Sequence, residues 1–466
     1  MSNLYLSFNP NYKIKKRGDY LFLYSKDFSE ISGVKPLAPI EAIILIYCDG
    51  TKTYEEVINF AKSLISSYSL KEEDFKNLKI IINTFIKNQI LLKSPFKKKY
   101  NFDYNLSEIL SCKIPDSPKV IHLEIPIGFG LLLTHKCPFC CVYCYAKTIK
   151  SNEKEEYISF DRLLKIFSEA KDLEIESVAI SGGEPFSYPK IFDIIKEILQ
   201  MGIFPIISTK FPLKEKEISY LKKLGLKKIQ VSLDSHKEEI VNSLLGVPNY
   251  FSSIINTIKT LISYNIEVRI NCVLTKETIK DIDNFIYFLY ELGIRQLGLA
   301  PYSANLSHYD FSLFPAKEEY KKLKFLLKKI KKELPDFLVH YFCPIELEEK
   351  LKRKEFEWCS AGRFGFAILP NGKVTICEQL TADDFIVGDL NYQRIMDIWN
   401  SDNMLNFRFP KREYFKDTEC YYCEEFEECS KYQGRCYLRT LIVFNRIFAP
   451  DPFCPKVSDK VNFRQW

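Results

Sequence analysis

The run Cys137-Pro-Phe-Cys140-Cys141-Val-Tyr-Cys144 carries three cysteines, Cys137, Cys141 and Cys144, in a CxxxCxxC spacing. Three thiolates can hold three irons of a cubane iron–sulfur cluster and leave the fourth iron open for a substrate or cofactor. A zinc knuckle is the rival reading, because Cys137/Cys140 and Cys141/Cys144 are also two CxxC pairs. Those pairs abut, however, with no residues between them to wrap a tetrahedral ion. A second array lies near the C-terminus, where Cys359, Gly372 and Cys377 fit CX12GX4C, and Cys420, Cys423 and Cys429 fit CX2CX5C, followed by Cys436 and Cys454. Zinc ribbons share the CxxC spacing, and seven cysteines are one short of two zinc sites, so counting does not separate zinc from clusters.

The elements around the first array are parallel βα units. Gly128 to Thr134 is strongly apolar and reads as a buried strand, which puts the cysteines on a loop just past its C-terminal end. Open α/β sheets and barrels place reactive groups at that end. Further strands are expected at Ser177 to Ile180, Phe204 to Thr209, Lys228 to Asp234, Glu267 to Thr275 and Gln296 to Ala300. Helices are expected between them, at Phe160 to Lys171, Ile191 to Met201, Tyr250 to Tyr264 and Ile279 to Leu292. At 466 residues the chain calls for two or three domains, and 46% apolar content is ample for packed cores. A net charge of +6 over this length is mild, so nothing global points to nucleic acid or a membrane. Ile40 to Tyr47 is too short to span a bilayer, and the N-terminus lacks a signal-peptide pattern, so a cytoplasmic protein is expected. Fifteen cysteines in such a protein argue for metal or redox chemistry over disulfides. Cys48, Cys112 and Cys272 sit singly and read as core or bystander thiols.

On the CxxxCxxC motif, with Tyr143 before its last cysteine, the chain resembles the radical SAM superfamily. The resemblance implies a partial (β/α)6 barrel and a 4Fe-4S cluster whose open iron chelates S-adenosyl-L-methionine (SAM), reduced by an external donor of flavodoxin or ferredoxin type. Ser181-Gly182-Gly183-Glu184-Pro185 matches the family's GGEP motif, whose backbone and glutamate meet the cofactor's amino group. Glycines there let the main chain approach a ligand closely. Ser208-Thr209, Ser232 with Asp234, and Asn271 stand at strand ends where relatives contact the methionyl carboxylate and ribose, although serine and aspartate also end strands as turn formers. Many relatives carry an arginine shortly after the fourth strand, and Ser235 to Pro248 has none.

The C-terminal array resembles the SPASM domain, which binds two auxiliary clusters. By that pattern Cys420, Cys423, Cys429 and Cys454 would hold the distal cluster, and Cys359, Cys377 and Cys436 the proximal one. The proximal set has three clear thiolates, with its fourth position open, filled by Cys343, or bound by a substrate group. Glu378 follows Cys377 where some relatives carry an acidic base; a solvated glutamate after a hairpin is the plain alternative.

Residues 1–92 form a separate unit in this reading, followed by a linker (93–118), the radical SAM core (119–335) and the SPASM region (336–466). The first unit opens with strand-like alternations at Leu4 to Phe8, Tyr12 to Lys16 and Tyr20 to Tyr24. Helices follow at Pro39 to Tyr47, Tyr54 to Tyr68 and Glu72 to Asn88. That winged-helix order resembles the PqqD-like recognition element, which implies that a leader peptide binds as an added strand. DNA is the rival ligand of a winged helix, but the third helix opens Lys71-Glu72-Glu73-Asp74, which would repel phosphate. The expectation is an enzyme that modifies a ribosomal precursor peptide, forming a thioether. Carbon–carbon or carbon–oxygen crosslinking and sulfatase-maturase-like oxidation are its alternatives, and a DNA-binding iron–sulfur sensor is the reading from another class.

Overall fold

The computed structural model describes residues 4–25, 35–67, 72–114, 123–146, 154–303, 310–341, 359, 361–432, 435–454 and 456–457. They fall into two units, Met1–Glu124 and Ile125–Trp466. In the first, the N-terminal alternations become β1 (Tyr5–Phe8), β2 (Tyr12–Arg17) and β3 (Tyr20–Ser25). β4 (Lys35–Leu37) completes an antiparallel sheet of order β2-β3-β4. The helices α1 (Pro39–Tyr47), α2 (Tyr54–Ser67) and α3 (Glu72–Lys87) follow as expected. Their apolar faces supply Ile44, Leu45, Val57, Ile82 and Phe85 to a core shared with Leu6, Phe8, Leu21 and Leu23. The side chains that open α3 lie outside the described residues.

One expectation for this unit needs correction, and one strand in it was not expected. Asp49-Gly50-Thr51, just before α2, opens β5 (Asp49–Thr53), which pairs with β1 in a second sheet of order β5-β1-β6. The segment expected as a linker is packed: it begins inside β6 (Leu91–Ser94), and the Lys98 and Tyr100 amides donate to the Gly50 and Asp49 carbonyls. It goes on to α4 (Leu106–Leu110), whose Ile109, with Cys112, enters the core. Sparse apolar residues at wide spacing hid that packing from periodicity.

The second unit holds a ten-stranded sheet of order β13-β12-β11-β10-β9-β8-β7-β14-β15-β16. Its parallel heart is β7 (Gly128–Thr134), β8 (Ser177–Gly182), β9 (Phe204–Thr209), β10 (Lys228–Ser232), β11 (Glu267–Leu274) and β12 (Gln296–Pro301). These strands lie side by side in chain order, as a partial (β/α)6 barrel requires. The helices between them are α5 (Phe160–Asp172), α6 (Ile191–Gln200), α7 (Glu215–Leu224), α8 (Glu238–Leu245), α9 (Tyr250–Ser263) and α10 (Ile282–Glu291). α11 (Lys317–Glu333) then leads to β13 (Leu338–Tyr341) beside β12. The remaining edge is extended by β14 (Gly365–Ile368), parallel to β7, and the antiparallel β15 (Lys373–Thr375) and β16 (Ile386–Asp389). The C-terminal cysteine region is therefore joined to the barrel through main-chain pairing, sealed by the stacked rings of Phe129 and Phe366.

Candidate active site and iron–sulfur sites

Alternation along β9 to β11 puts Ile207, Ile229, Val231, Ile270 and Cys272 in the apolar core and gathers Ser208, Gln230, Ser232, Arg269 and Asn271 on the other face. On that polar face Gln230 is in register with Ser208 and Arg269, and Ser232 with Asn271. The Gln230 amide donates to the Ser208 hydroxyl at 2.8 Å. Gly298 on β12 makes room here, since a Cβ would collide with the side chains of Asn271 and Arg269.

The cysteine loop leaves β7 and is tied down on two sides. The amides of Cys140 and Val142 donate to the Leu245 and Leu244 carbonyls at the end of α8, both at 3.0 Å. The stretch without an arginine thus serves as the loop's anchor. On the other side Gly183 N donates to Thr134 O and Glu184 N to Lys136 O. Gly182 has a φ of +115°, and a Cβ on Gly183 would run into the Lys136 carbonyl, so this contact requires the two glycines. Glu155 fixes the start of the loop, accepting from Thr134 Oγ1 and His135 N at 2.6 Å each.

Cys144 stands close enough to raise the pKa of both Cys137 and Cys141, and Cys137 that of Cys141, while Cys140 is exposed. Burial pushes Cys137 and Cys141 up to about 12 as free thiols, so this set is anionic only against positive charge. Cluster irons supply such charge, and the donor set suits them. A second source is Lys210, which directly follows β9 and which the sequence reading did not single out. Its Nζ donates to Tyr143 Oη at 3.0 Å and lies 3.6 Å from Asp234 Oδ2. Burial works against its charge, but Asp234 and the thiols of Cys141 and Cys144 outweigh burial and hold the lysine above its usual pKa. Tyr143 also donates to Asp234 Oδ2, and Asp234 Oδ1 accepts from Val273 N at 2.8 Å.

Glu184 is 2% exposed, and its carboxylate accepts from Thr209 Oγ1 (2.6 Å), Lys210 N (2.9 Å) and Phe186 N (3.1 Å). Burial raises its pKa in spite of those bonds. Glu378 is not a solvated hairpin residue. It accepts from Ser181 Oγ at 3.0 Å and from Tyr145, which brings the C-terminal region to the end of β8, and burial raises its pKa. Tyr145 gave no signal in the sequence beyond its place after Cys144.

The C-terminal cysteines gather in two groups. Cys359, Cys377 and Cys436 form one, in which the Cys359 thiol donates to Cys436 sulfur, and that bond, with Arg439 nearby, holds the Cys436 pKa below the usual thiol value. Cys420, Cys423, Cys429 and Cys454 form the other. Cys343 lies outside the described residues. Among the described residues no three His, Cys, Asp or Glu side chains are grouped tightly enough for one ion. Thiolates of a cubane each bind a different iron and stand further apart than the ligands of a single ion. Arginines brace this region: Arg363 donates to the carbonyls of Lys431, Arg408 and Ser430, and Arg408 to those of Gly362 and Trp399.

Comparison with known proteins agrees with this layout. Residues 131–289 match the radical SAM superfamily, and residues 359–425 match an iron–sulfur cluster-binding domain, SPASM. The "PqqA peptide cyclase" of Bradyrhizobium diazoefficiens is 24% identical over 71% of this chain and 86% of its own. A "Probable GTP 3',8-cyclase" of Saccharolobus islandicus is 30% identical over 36% of this chain and 54% of its own. Among solved structures, SuiB of Streptococcus suis bound to S-adenosylmethionine superposes with a TM-score of 0.62 at 17% identity, covering 96% of this chain and all of SuiB. The structure titled anSMEcpe with bound AdoMet gives 0.54 at 18% identity over 72% and 92%. Such identities show the fold. The two matched domains give this enzyme a radical SAM domain and a SPASM domain, with SAM and 4Fe-4S clusters as cofactors.

Proposed function

We propose that this enzyme modifies a ribosomally made precursor peptide, joining a cysteine sulfur to a carbon of the same peptide. The observation that carries the reading is the pair of thiol groups beyond the barrel, one of four and one of three, in the same unit as the first cysteine loop. The names of similar proteins point the same way: PqqA peptide cyclases match most of the chain, and one SuiB structure holds its precursor peptide SuiA.

Cys137, Cys141 and Cys144 would hold the cluster that binds SAM, which when bound supplies a 5′-deoxyadenosyl radical for hydrogen abstraction. Around it, Gly182, Gly183 and Glu184 would receive the amino group, Lys210 the carboxylate in place of the missing arginine, and Ser208, Ser232, Asp234 and Asn271 the remaining polar edges. Cys420, Cys423, Cys429 and Cys454 would hold the distal auxiliary cluster, and Cys359, Cys377 and Cys436 the proximal one. In thioether formation one C–H and one S–H bond give way to one C–S bond. The thiol proton would pass to a base such as Glu378, whose raised pKa suits that role, and the bound cofactors would supply the acceptors for the hydrogen atom and for the one electron left over. Among the described residues the proximal set has three thiolates, and if Cys343 does not complete it a place would remain for the substrate sulfur, which favours the thioether over carbon–carbon or carbon–oxygen bonds. Residues of the first unit, with two small sheets and four helices among the described residues, would hold the leader in the manner of a PqqD-like element. An acidic redox carrier of flavodoxin or ferredoxin type would supply electrons, in the cytoplasm; no helix among the described residues is long and apolar enough to cross a membrane.

The test is to incubate the reduced enzyme with SAM and the product of a small cysteine-rich reading frame beside its gene. Every bond type removes two hydrogens per crosslink, so thiol alkylation decides. Product cysteines that resist alkylation support the thioether, and cysteines that still alkylate fully rule it out.

A further inference from the structure

Arg435 is 6% exposed, next in sequence to Cys436, yet its side chain turns to the other thiol group. Its Nη1 donates to Cys420 Sγ at 3.8 Å and to the Ala449 carbonyl at 3.1 Å, and its guanidinium lies 4.1 Å from the centre of the Phe415 ring. A narrow cleft lined by Cys359, Arg363, Cys429 and Arg435 joins the two thiol groups beside it. Among the described residues no carboxylate pairs with Arg435, whereas its neighbour Arg439 has Asp451 at 2.8 Å. Taking a guanidinium out of water costs several kcal/mol unless an anion compensates it. Neutral thiols do not compensate it, but thiolates do, and metal coordination deprotonates a thiol outright.

We infer that Arg435 is the buried counter-cation of the distal auxiliary cluster, placed to stabilise its reduced state and so to raise its reduction potential. A reduced cluster carries one more negative charge, and a fixed cation within hydrogen-bond reach of a ligating sulfur in a dry site favours it. Lys456 gives an internal contrast: its Nζ donates to Cys423 Sγ at 3.2 Å, but from an exposed position where water screens the charge. The distal cluster would thereby be poised as an electron acceptor beside the proximal one.

The inference rests on the ligand assignment proposed above, and the test separates the two. Full-length protein is reconstituted anaerobically, and cluster reduction is followed by EPR against potential in wild type, Arg435→Gln, Arg435→Lys and Lys456→Gln. One midpoint should fall in Arg435→Gln, stay near wild type in Arg435→Lys, and shift less in Lys456→Gln. A midpoint in Arg435→Gln that matches wild type, or moves no further than that of Lys456→Gln, overturns the inference. If Arg435→Gln loads less iron, Arg435→Lys decides: full iron and a wild-type midpoint support a role of charge, and equal iron loss overturns it. Full iron content in a Cys420→Ala/Cys429→Ala protein would instead refute the ligand assignment itself.

Discussion

The cysteine loop after β7 and the cysteine groups of the C-terminal region present the same ligand chemistry on two different supports. The first is held by main-chain hydrogen bonds to α8 and to the Gly182-Gly183 turn, so regular elements position it. The second sits on short elements, with Cys429 inside the helix Phe426–Tyr432 and Cys436 capping the helix Tyr437–Phe444, and its carbonyls are gathered by the guanidinium groups of Arg363, Arg408 and Arg412. Their cations differ as well. Lys210 already has a carboxylate in Asp234, whereas Arg435 has sulfur and a backbone carbonyl. Lys210 thus has a carboxylate partner, as a place for the zwitterionic methionyl part of SAM would need, whereas Arg435 has none among the described residues, which would suit a resident anionic cluster.

Substitutions can break this contrast. The largest effect is expected where the C-terminal groups serve the product but not the cofactor. Cys359→Ala or Cys377→Ala should abolish crosslinking while cleavage of SAM, followed as 5′-deoxyadenosine release, persists. Loss of both would mean that the two sites do not act separately. Removing residues 1–124 should likewise stop processing of full-length precursor and spare SAM cleavage. The cut belongs after Glu124 because β6 and α4 are packed in the first unit, and a cut at 92 would strand Ile109 and Cys112.

A middle-sized effect is expected at Lys210. Charge-assisted hydrogen bonds contribute about 1.5–3 kcal/mol, so Lys210→Met should weaken SAM binding by about tenfold to a hundredfold, with Lys210→Arg recovering part of it. Equilibrium binding to the reconstituted protein reads this directly, and unchanged affinity would remove Lys210 from the cofactor site.

The smallest effect is expected in the first unit. Burial works against the Asp49 carboxylate, but the hydroxyl and amide of Thr51 donate to it (2.5 and 2.9 Å) and hold its pKa below the usual value. Its stabilisation is therefore present above the unfolded pKa of about 3.9 and is lost as pH falls through the lower folded value. Asp49→Ala should cost about 1 kcal/mol at neutral pH and progressively less in acid, as read by denaturant unfolding.

Much of the barrel was legible because its signals are local. β7 and β9 begin and end where apolar runs do, and GGEP sits straight off β8. Pairing between β14 and β7 was not legible, since residues so far apart in sequence leave no periodic trace. Nor were Lys210 and Arg435, each a single cation among many, whose meaning comes from burial beside sulfur. Glu378 was legible only as a position next to Cys377; its reach to Ser181 is a product of the β7 and β14 junction.

The central claim is that three separate thiol groups hold iron–sulfur clusters and that only the first cleaves SAM. Iron and sulfide analysis of the anaerobically reconstituted protein, alongside the Cys137→Ala/Cys141→Ala/Cys144→Ala variant, tests it most directly. About three 4Fe-4S clusters are expected in the wild type, and about two in the variant together with complete loss of SAM cleavage. Tightly bound zinc without iron in the anaerobically purified protein, or SAM cleavage surviving in the variant, would contradict it.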